Sequence, residues 1–387
     1  MDRAVRVGAA QCVSWGILFY GFGLILPAMS GDLAGSPVAL SGAFSAALAV
    51  TAVVSLRVGR WIDEGHERAV FLGGIGLGTI SLLAWAASRS VAHLYLAMIG
   101  IGAAMALTQY EPAFALINRW YRSTTEKNRA LIIVTLLGAL AGPIFVPALG
   151  FAVTAWGWRA AVIGGAGALL ATSLIYLGIL EPGGPARNGG APAGRFPRTL
   201  WWLGAAAFLS SFGGTTIAVH LPTYLVGRGE SLAVPAGVIA AMGLAQFPAR
   251  LLIAPVATRW GATRVLATAL AMQAVAVAVI ATFRSAVALV LAGAAFGAGN
   301  GAATILRAVG AREQTGDVGY GTAVGRLGAF AVAARAAAPL SAGILAAALA
   351  PSAPFVVSAG LLLAWSVAGF RIGGPPGLDQ SSQASSQ

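Results

Sequence analysis

From Val7 to Phe370 the chain is a succession of apolar runs of about 20 residues, each nearly empty of charge. Nothing else in it constrains the fold so strongly. A run of that length crosses the hydrocarbon of a bilayer as a helix, because a backbone in lipid must satisfy its own hydrogen bonds. The runs lie near 7–29, 38–57, 69–88, 93–117, 130–150 and 160–180, and then near 200–226, 234–257, 265–283, 286–310, 322–348 and 353–370. They read as twelve spans in two sets of six. The break between the sets, EPGGPARNGGAPAGRFPR (Glu181 to Arg198), is rich in Pro, Gly and Arg and has no apolar period, so it reads as a flexible linker. The predicted organisation is an all-α integral membrane protein. It has an N-terminal six-helix bundle (1–180), a cytoplasmic linker (181–198), a C-terminal six-helix bundle (199–370) and a disordered cytoplasmic tail (371–387).

Composition excludes the alternatives. Only 9% of the residues are charged and 58% are hydrophobic, whereas a soluble domain carries about 25% charged residues to wet its surface. The single cysteine, Cys12, rules out a disulfide framework, and three histidines at unrelated spacings (His66, His93, His220) form no zinc signature. The first thirty residues, basic and then apolar, share features with a secretory signal, but the apolar run is long for one and is read as an uncleaved first span. The net charge of +12 would suit a nucleic-acid partner if it lay along one face. Instead the arginines recur in short clusters between the spans. With the N-terminus inside, inner segments hold Arg3, Arg6, Arg60, Arg68, Arg119, Arg122, Lys127, Arg129, Arg187, Arg195, Arg198, Arg259, Arg264, Arg312 and Arg371. Outer segments hold Arg89, Arg159, Arg228 and Arg284. This asymmetry predicts a multi-pass protein of the cytoplasmic (inner) membrane with both termini in the cytoplasm.

The two halves resemble each other at an offset of about 195 residues. Leu26-Pro27 matches Leu221-Pro222, GRWIDEGHER matches APVATRWGATR (Ala254 to Arg264), and Gly142-Pro143 falls opposite Ala338-Pro339. Parallel repeats with a site between them near the midplane are an architecture of secondary transporters. The charge-rich stretch SLRVGRWIDEGHERAVFLGG (residues 55–74) then acquires a meaning. It resembles the loop between helices two and three of the major facilitator superfamily, usually G-x-x-x-D-R/K-x-G-x-R/K. Gly59, Asp63 and Arg68 are in register; Glu64 stands where a basic residue is usual, and the glycine comes one place early, at Gly65, followed by His66. The second copy keeps Arg259, Gly261 and Arg264 but has Thr258 in place of the acid. The resemblance covers essentially the whole chain and implies alternating access by a monomer. Independently of the family, Gly59 is expected to admit a neighbouring helix. Asp63 is expected to cap a helix or pair with arginine, so that the loop latches the inner ends of the bundles.

A charge at mid-membrane costs roughly 2.5–3.5 kcal/mol on insertion scales, so each needs a reason. Arg250 lies past the middle of span eight in GLAQFPARLLIAP, with Gln246 one turn earlier on the same face. The Q-x-x-x-R arrangement resembles helix eight of the monocarboxylate-transporter and oxalate/formate-antiporter branch, where an arginine holds the substrate carboxylate. SWG (Ser14 to Gly16) and the proline near the end of span one suit the same branch. Two departures stand out: Gln246 replaces an acid that would carry protons, and Ala28 replaces a lysine. An arginine fork binds a carboxylate bidentately, which a lysine does not.

Glu111 in span four and Arg307 in span ten occupy nearly equivalent places and are expected to form an ion pair between the bundles. Arg335, central in span eleven, is assigned to gating and Arg326 to topology. His220 is a candidate proton relay or a hydrogen-bonded structural residue. Tyr20 and Tyr110 are candidate cavity-lining residues; Tyr224 suits either the cavity or the interface. The glycine runs GGIGLG (Gly73 to Gly78) and GAGNG (Gly297 to Gly301) lack the spacing of nucleotide loops and read as helix contacts.

The function expected is secondary transport of a small organic anion, a monocarboxylate, with no metal and no cofactor, proton coupling being left open. The alternative is an efflux pump for drugs or amphiphilic metabolites. LGALAGP (Leu137 to Pro143) partly resembles the helix-five motif of drug exporters, but Val146-Pro147 replace its closing glycines and Leu96 stands where exporters have an arginine. An enzyme or a sensor is disfavoured because no nucleophile, base or metal constellation and no long extramembrane domain is present.

Overall fold

The apolar runs fold as helices throughout. The computed structural model describes residues 2–33, 35–121, 123–180 and 198–372, with the backbone alone at 312–325 and a few isolated positions. The linker read at 181–198 and the tail read at 371–387 lie, apart from their edge residues, outside the described residues. The first span is α1 (Asp2–Ser14), a π-helical turn Trp15–Tyr20 and α2 (Gly21–Asp32). The second and third are α3 (Pro37–Asp63) and α4 (Glu67–Ala86). The fourth is broken into α5 (Val91–Thr108) and α6 (Tyr110–Trp120) at Gln109, whose ψ of −152° is extended. Proline explains the break: Pro112 has no N–H to offer the Thr108 carbonyl. That carbonyl instead accepts from Gln11 Nε2 at 2.6 Å, which ties span four to span one.

Next come α7 (Thr124–Ala139) and α8 (Ala141–Leu177). The apolar stretch Thr125–Leu177 has 53 residues, or roughly 80 Å of helix against a hydrocarbon core of about 30 Å. Gly157, at φ 82° and ψ 160°, divides it into two crossings. The remaining helices are α9 (Arg198–Gly227), α10 (Ala233–Trp260), α11 (Ala262–Thr282), α12 (Ala286–Ala348) and α13 (Ala353–Ile372). Within α12 two stretches are long and apolar enough to cross, Ala286–Ala311 and Arg326–Ala348. Gly310 packs on Leu203 and Phe330 on the adjacent Gly204, so both stretches start or end at the same end of α9 and run antiparallel. Twelve crossings result, in agreement with the sequence reading. They put the two chain ends on one face of the bundle, here termed the terminal face.

The repeat is visible as matched contacts. A Cβ on Gly102 would lie 2.0 Å from the Ala47 carbonyl oxygen, and one on Gly297 would lie 2.0 Å from that of Met242. Both partners are shifted by the same 195 residues, Gly102 to Gly297 and Ala47 to Met242. In the second half the contact is extended: Gly293, Gly297 and Gly301, one per helical turn, pack on Val238, Met242 and Gln246 of α10. Small residues at these places let two backbones touch, which is how helices associate where lipid offers no hydrophobic drive. Gly301 thereby sets the height of Gln246.

The two halves are joined on the side remote from the chain ends. Gly23 of α2 lies against the Ala218 carbonyl of α9, Gly243 of α10 against Pro143 of α8, and Ser41 of α3 against Gly343 of α12. Ser45 Oγ accepts from the Leu340 amide at 2.9 Å. Toward the terminal face the packing loosens. Residues 40–45 of α3 are buried in an unbroken row, yet from Leu251 to Trp260 of α10 Ala257 alone among the described side chains is buried. This is an arrangement closed on the far side.

Candidate functional site

A cavity of ≈ 250 Å³ lies between the halves. The first six spans contribute Trp15, Phe19, Tyr20, Tyr110, Gly138 and Ala139. The last six contribute Ser210, Ser211, Thr215, Gln246, Arg250, Asn300, Thr304, Arg307 and Arg335. Tyr20, Tyr110, Gln246, Arg250, Arg307 and Arg335, all read from the sequence as site residues, therefore meet at one place. The local reasons are specific. The π-helical turn Trp15–Tyr20 widens span one where its aromatic residues face the cavity. Gly16 of the SWG triplet makes room for Phe145, and Gly138 for the ring of Tyr110, whose hydroxyl would be 2.4 Å from an added Cβ.

Arg250 is held at two points and has a third donor unused. Its Nη2 donates to Gln246 Oε1 at 2.8 Å, its Nη1 donates across the halves to the Thr135 carbonyl at 3.3 Å, and its Nε is buried without an acceptor. Its partners among the described residues are neutral, so none of them compensates the charge of the guanidinium. Arg307 donates to the Ala303 carbonyl (3.1 Å) and to Thr304 Oγ1 (3.3 Å), both on its own helix. The expected pairing of Glu111 with Arg307 does not form: Glu111 Oε1 lies 3.8 Å from Arg335 Nη2. The break of span four at Gln109 turns Glu111 toward span eleven rather than span ten. Arg335 also stands 5.6 Å from the Trp15 ring centroid, where the ring face supplements the carboxylate.

His220 is the exception among the candidate binding residues. It is buried outside this cavity, with Nε2 2.9 Å from the Pro339 carbonyl, so the ring proton sits on Nε2. It borders a separate, mostly apolar cavity of ≈ 360 Å³ on the far side, together with Tyr224 and Arg228. Tyr224 donates to the Ala281 carbonyl at 2.7 Å and serves as an anchor there.

The loop after span two also departs from expectation. An added Cβ at Gly59 would meet nothing within 4 Å, so this glycine admits no neighbour. Asp63 and Arg68 are exposed, and Asp63 caps no helix. A buried ion pair at this end joins Glu67 to Arg119, 3.5 Å apart, their side chains 7% and 11% exposed. Arg119 Nη1 also donates to the Ile62 carbonyl. The turn itself rests on Gly65 at φ 91°, and the matching turn of the second half on Gly261 at φ 82°; both conformations favour glycine.

Sequence reasoning missed Trp15, Phe19, Ser210, Asn300 and Thr304. Asn300 was legible as a lone amide among small residues in an apolar run. Ser210 lies 2.8 Å from Gln273 Oε1 and 3.0 Å from Asn300 Oδ1, a buried polar group spanning three helices. The aromatic residues carried no signal, because apolar residues on every face of a membrane span do not reveal which face looks inward.

A sequence model described as Major Facilitator Superfamily matches residues 10–245. Comparison with curated protein sequences gives no match. Among solved structures, the chain is similar to the D323A mutant of the nucleoside transporter NupG at 14% identity and TM-score 0.76, covering 96% of this chain and 98% of that one. A bacterial homologue of the human lysosomal transporter Spinster, inward-facing and unoccupied, aligns at 13% identity and TM-score 0.72 over 96% and 95% of the two chains. The human organic anion transporter MFSD10 aligns at 19% identity and TM-score 0.65 over 95% and 99%.

Proposed function

The chain belongs to the Major Facilitator Superfamily and is a membrane transporter rather than an enzyme; from that premise we propose that its cargo is a small organic anion, a monocarboxylate, moved by alternating access. The carrying observation is the charge of the cavity. Arg250, Arg307 and Arg335 line it, no carboxylate is among its described lining residues, and Glu111, beside it, is already engaged by Arg335. Two guanidinium groups are left with neutral partners in a setting where an unpaired charge is costly. An anionic passenger supplies what is missing, and the fork of Arg250 suits a carboxylate. Closure on the far side leaves the terminal face as the exit in this state, and the arginine bias of the connecting segments makes that face cytoplasmic. The transporter acts as a monomer on this reading, with no metal or organic cofactor and with proton coupling left open.

Uptake of labelled carboxylates into proteoliposomes tests the reading. Transport of an organic anion that is lost in Arg250→Ala supports it. Unchanged transport in that variant removes Arg250 from the site, and resistance of a pump-deficient host to unrelated cations without any carboxylate transport would replace the reading with efflux.

A further inference from the structure

We propose that the cargo is an aryl monocarboxylate, its carboxylate held by Arg250 and Arg307 and its ring seated on the aromatic wall opposite. The inference rests on the organic-anion reading and narrows it. The chemistry of the cavity is divided between the halves: everything cationic comes from the last six spans, whereas Trp15, Phe19, Tyr20 and Tyr110 come from the first six. These four rings are continuous. Trp15 and Phe19 have centroids 5.3 Å apart, Phe19 and Tyr20 5.2 Å, and Trp15 and Tyr110 5.0 Å. The Phe19–Tyr20 contact is edge-on at 89° and the Trp15–Tyr110 contact is tilted at 41°, so the wall offers both ring edges and ring faces. Such a surface holds a planar π-system by offset or edge-to-face contact, which a short aliphatic chain cannot reproduce.

The placement of the charges favours a single acid. Arg335 is paired with Glu111, which leaves Arg250 and Arg307. One carboxylate has two oxygens and can accept from both forks. A second carboxylate at the ring wall would meet only Arg335, which Glu111 already engages, so its desolvation is poorly rewarded. Size points the same way: ≈ 250 Å³ is just below the usual ligand range of about 300–1,000 Å³ and suits one ring with a short acid arm. Two buried donors of residues that line this space, Arg250 Nε and Trp15 Nε1, have no acceptor among the described residues.

The test is competition for uptake of labelled benzoate into proteoliposomes holding the purified full chain. The competitors are 3-phenylpropanoate, propanoate, lactate, succinate and phthalate. The expected result is that 3-phenylpropanoate competes best and that Trp15→Leu weakens its competition by roughly threefold to tenfold, the scale of one aromatic contact, while Trp15→Phe keeps most of it. Thermal melts of both variants show whether they fold. The panel on the unaltered protein decides independently of them. Propanoate or lactate competing as well as the aryl acid would overturn the ring site, and stronger competition by succinate or phthalate would overturn the single-acid assignment. In both of those cases the organic-anion reading stands. If no anion is transported at all, that reading falls, and this one with it.

Discussion

Gly23 and Ala218 are the same position of the two repeats, and they touch each other. They stand 195 residues apart, as do Pro27 and Pro222 one turn later. A Cβ on Gly23 would lie 2.0 Å from the Ala218 carbonyl oxygen. That carbonyl is free because Pro222 offers it no N–H, and the missing side chain of Gly23 lets it approach. The pseudo-two-fold axis thus passes through a backbone-to-backbone contact that closes the far side.

Gly23→Val is expected to open that seam. Ser41, fully buried beside Gly343, reports it. In a Cys12→Ser background, Ser41→Cys should resist a membrane-impermeant thiol reagent applied from the far side, and should be labelled once Gly23→Val is added. Equal labelling with and without Gly23→Val, in protein that elutes as a single species, would show that this contact does not control closure.

The Glu111–Arg335 pair should appear as a coupling energy. Both side chains are partly exposed, at 38% and 26%, so a double-mutant cycle of Glu111→Gln and Arg335→Gln on thermal stability should give only about 0.5–1 kcal/mol. The same cycle between Glu111→Gln and Arg307→Gln should give about zero, within roughly 0.3 kcal/mol. Coupling of Glu111 to Arg307 instead would restore the pairing expected from the repeat.

At the terminal face, Glu67→Ala strands a buried guanidinium and should cost roughly 3–5 kcal/mol. Asp63→Asn, at an exposed acid, should change stability by no more than about 0.5 kcal/mol. Melts in a single detergent compare the two directly, and a larger loss for Asp63→Asn would move the structural acid of this loop to the motif position.

The glycines divide in the same way. Gly297→Leu drives a side chain into the Met242 backbone and should destabilise by at least about 1–3 kcal/mol, as Gly102→Leu should against Ala47. Gly59→Ala meets open space inside a helix and should be neutral or stabilising by roughly 0.5–1 kcal/mol. A severe loss at Gly59 would point to a neighbour that reaches it only in another state of the transport cycle.

What could be read without coordinates is one-dimensional. The length of the apolar runs sets the number of crossings, the repeat of Leu-Pro and Gly-Pro pairs at one offset sets the internal symmetry, and the scarcity of charge inside the spans singled out Arg250, Arg307, Arg335 and Glu111. These follow from sequence because the cost of burying a charge or a free amide in hydrocarbon is local to the segment that carries it. The partners of those charges are another matter. Each residue turns a helix by 100° and raises it 1.5 Å, and a span that is apolar on all sides does not say which way it faces. Only the packed bundle decided that Gln109 breaks span four, that Glu111 meets Arg335 rather than Arg307, that His220 faces the Pro339 carbonyl outside the cavity, and that four aromatic rings from the first half confront the arginines of the second. The reason is contact between backbones: glycines such as Gly23, Gly102 and Gly297 fix the height and rotation of their helices, and those choices determine which side chains can meet.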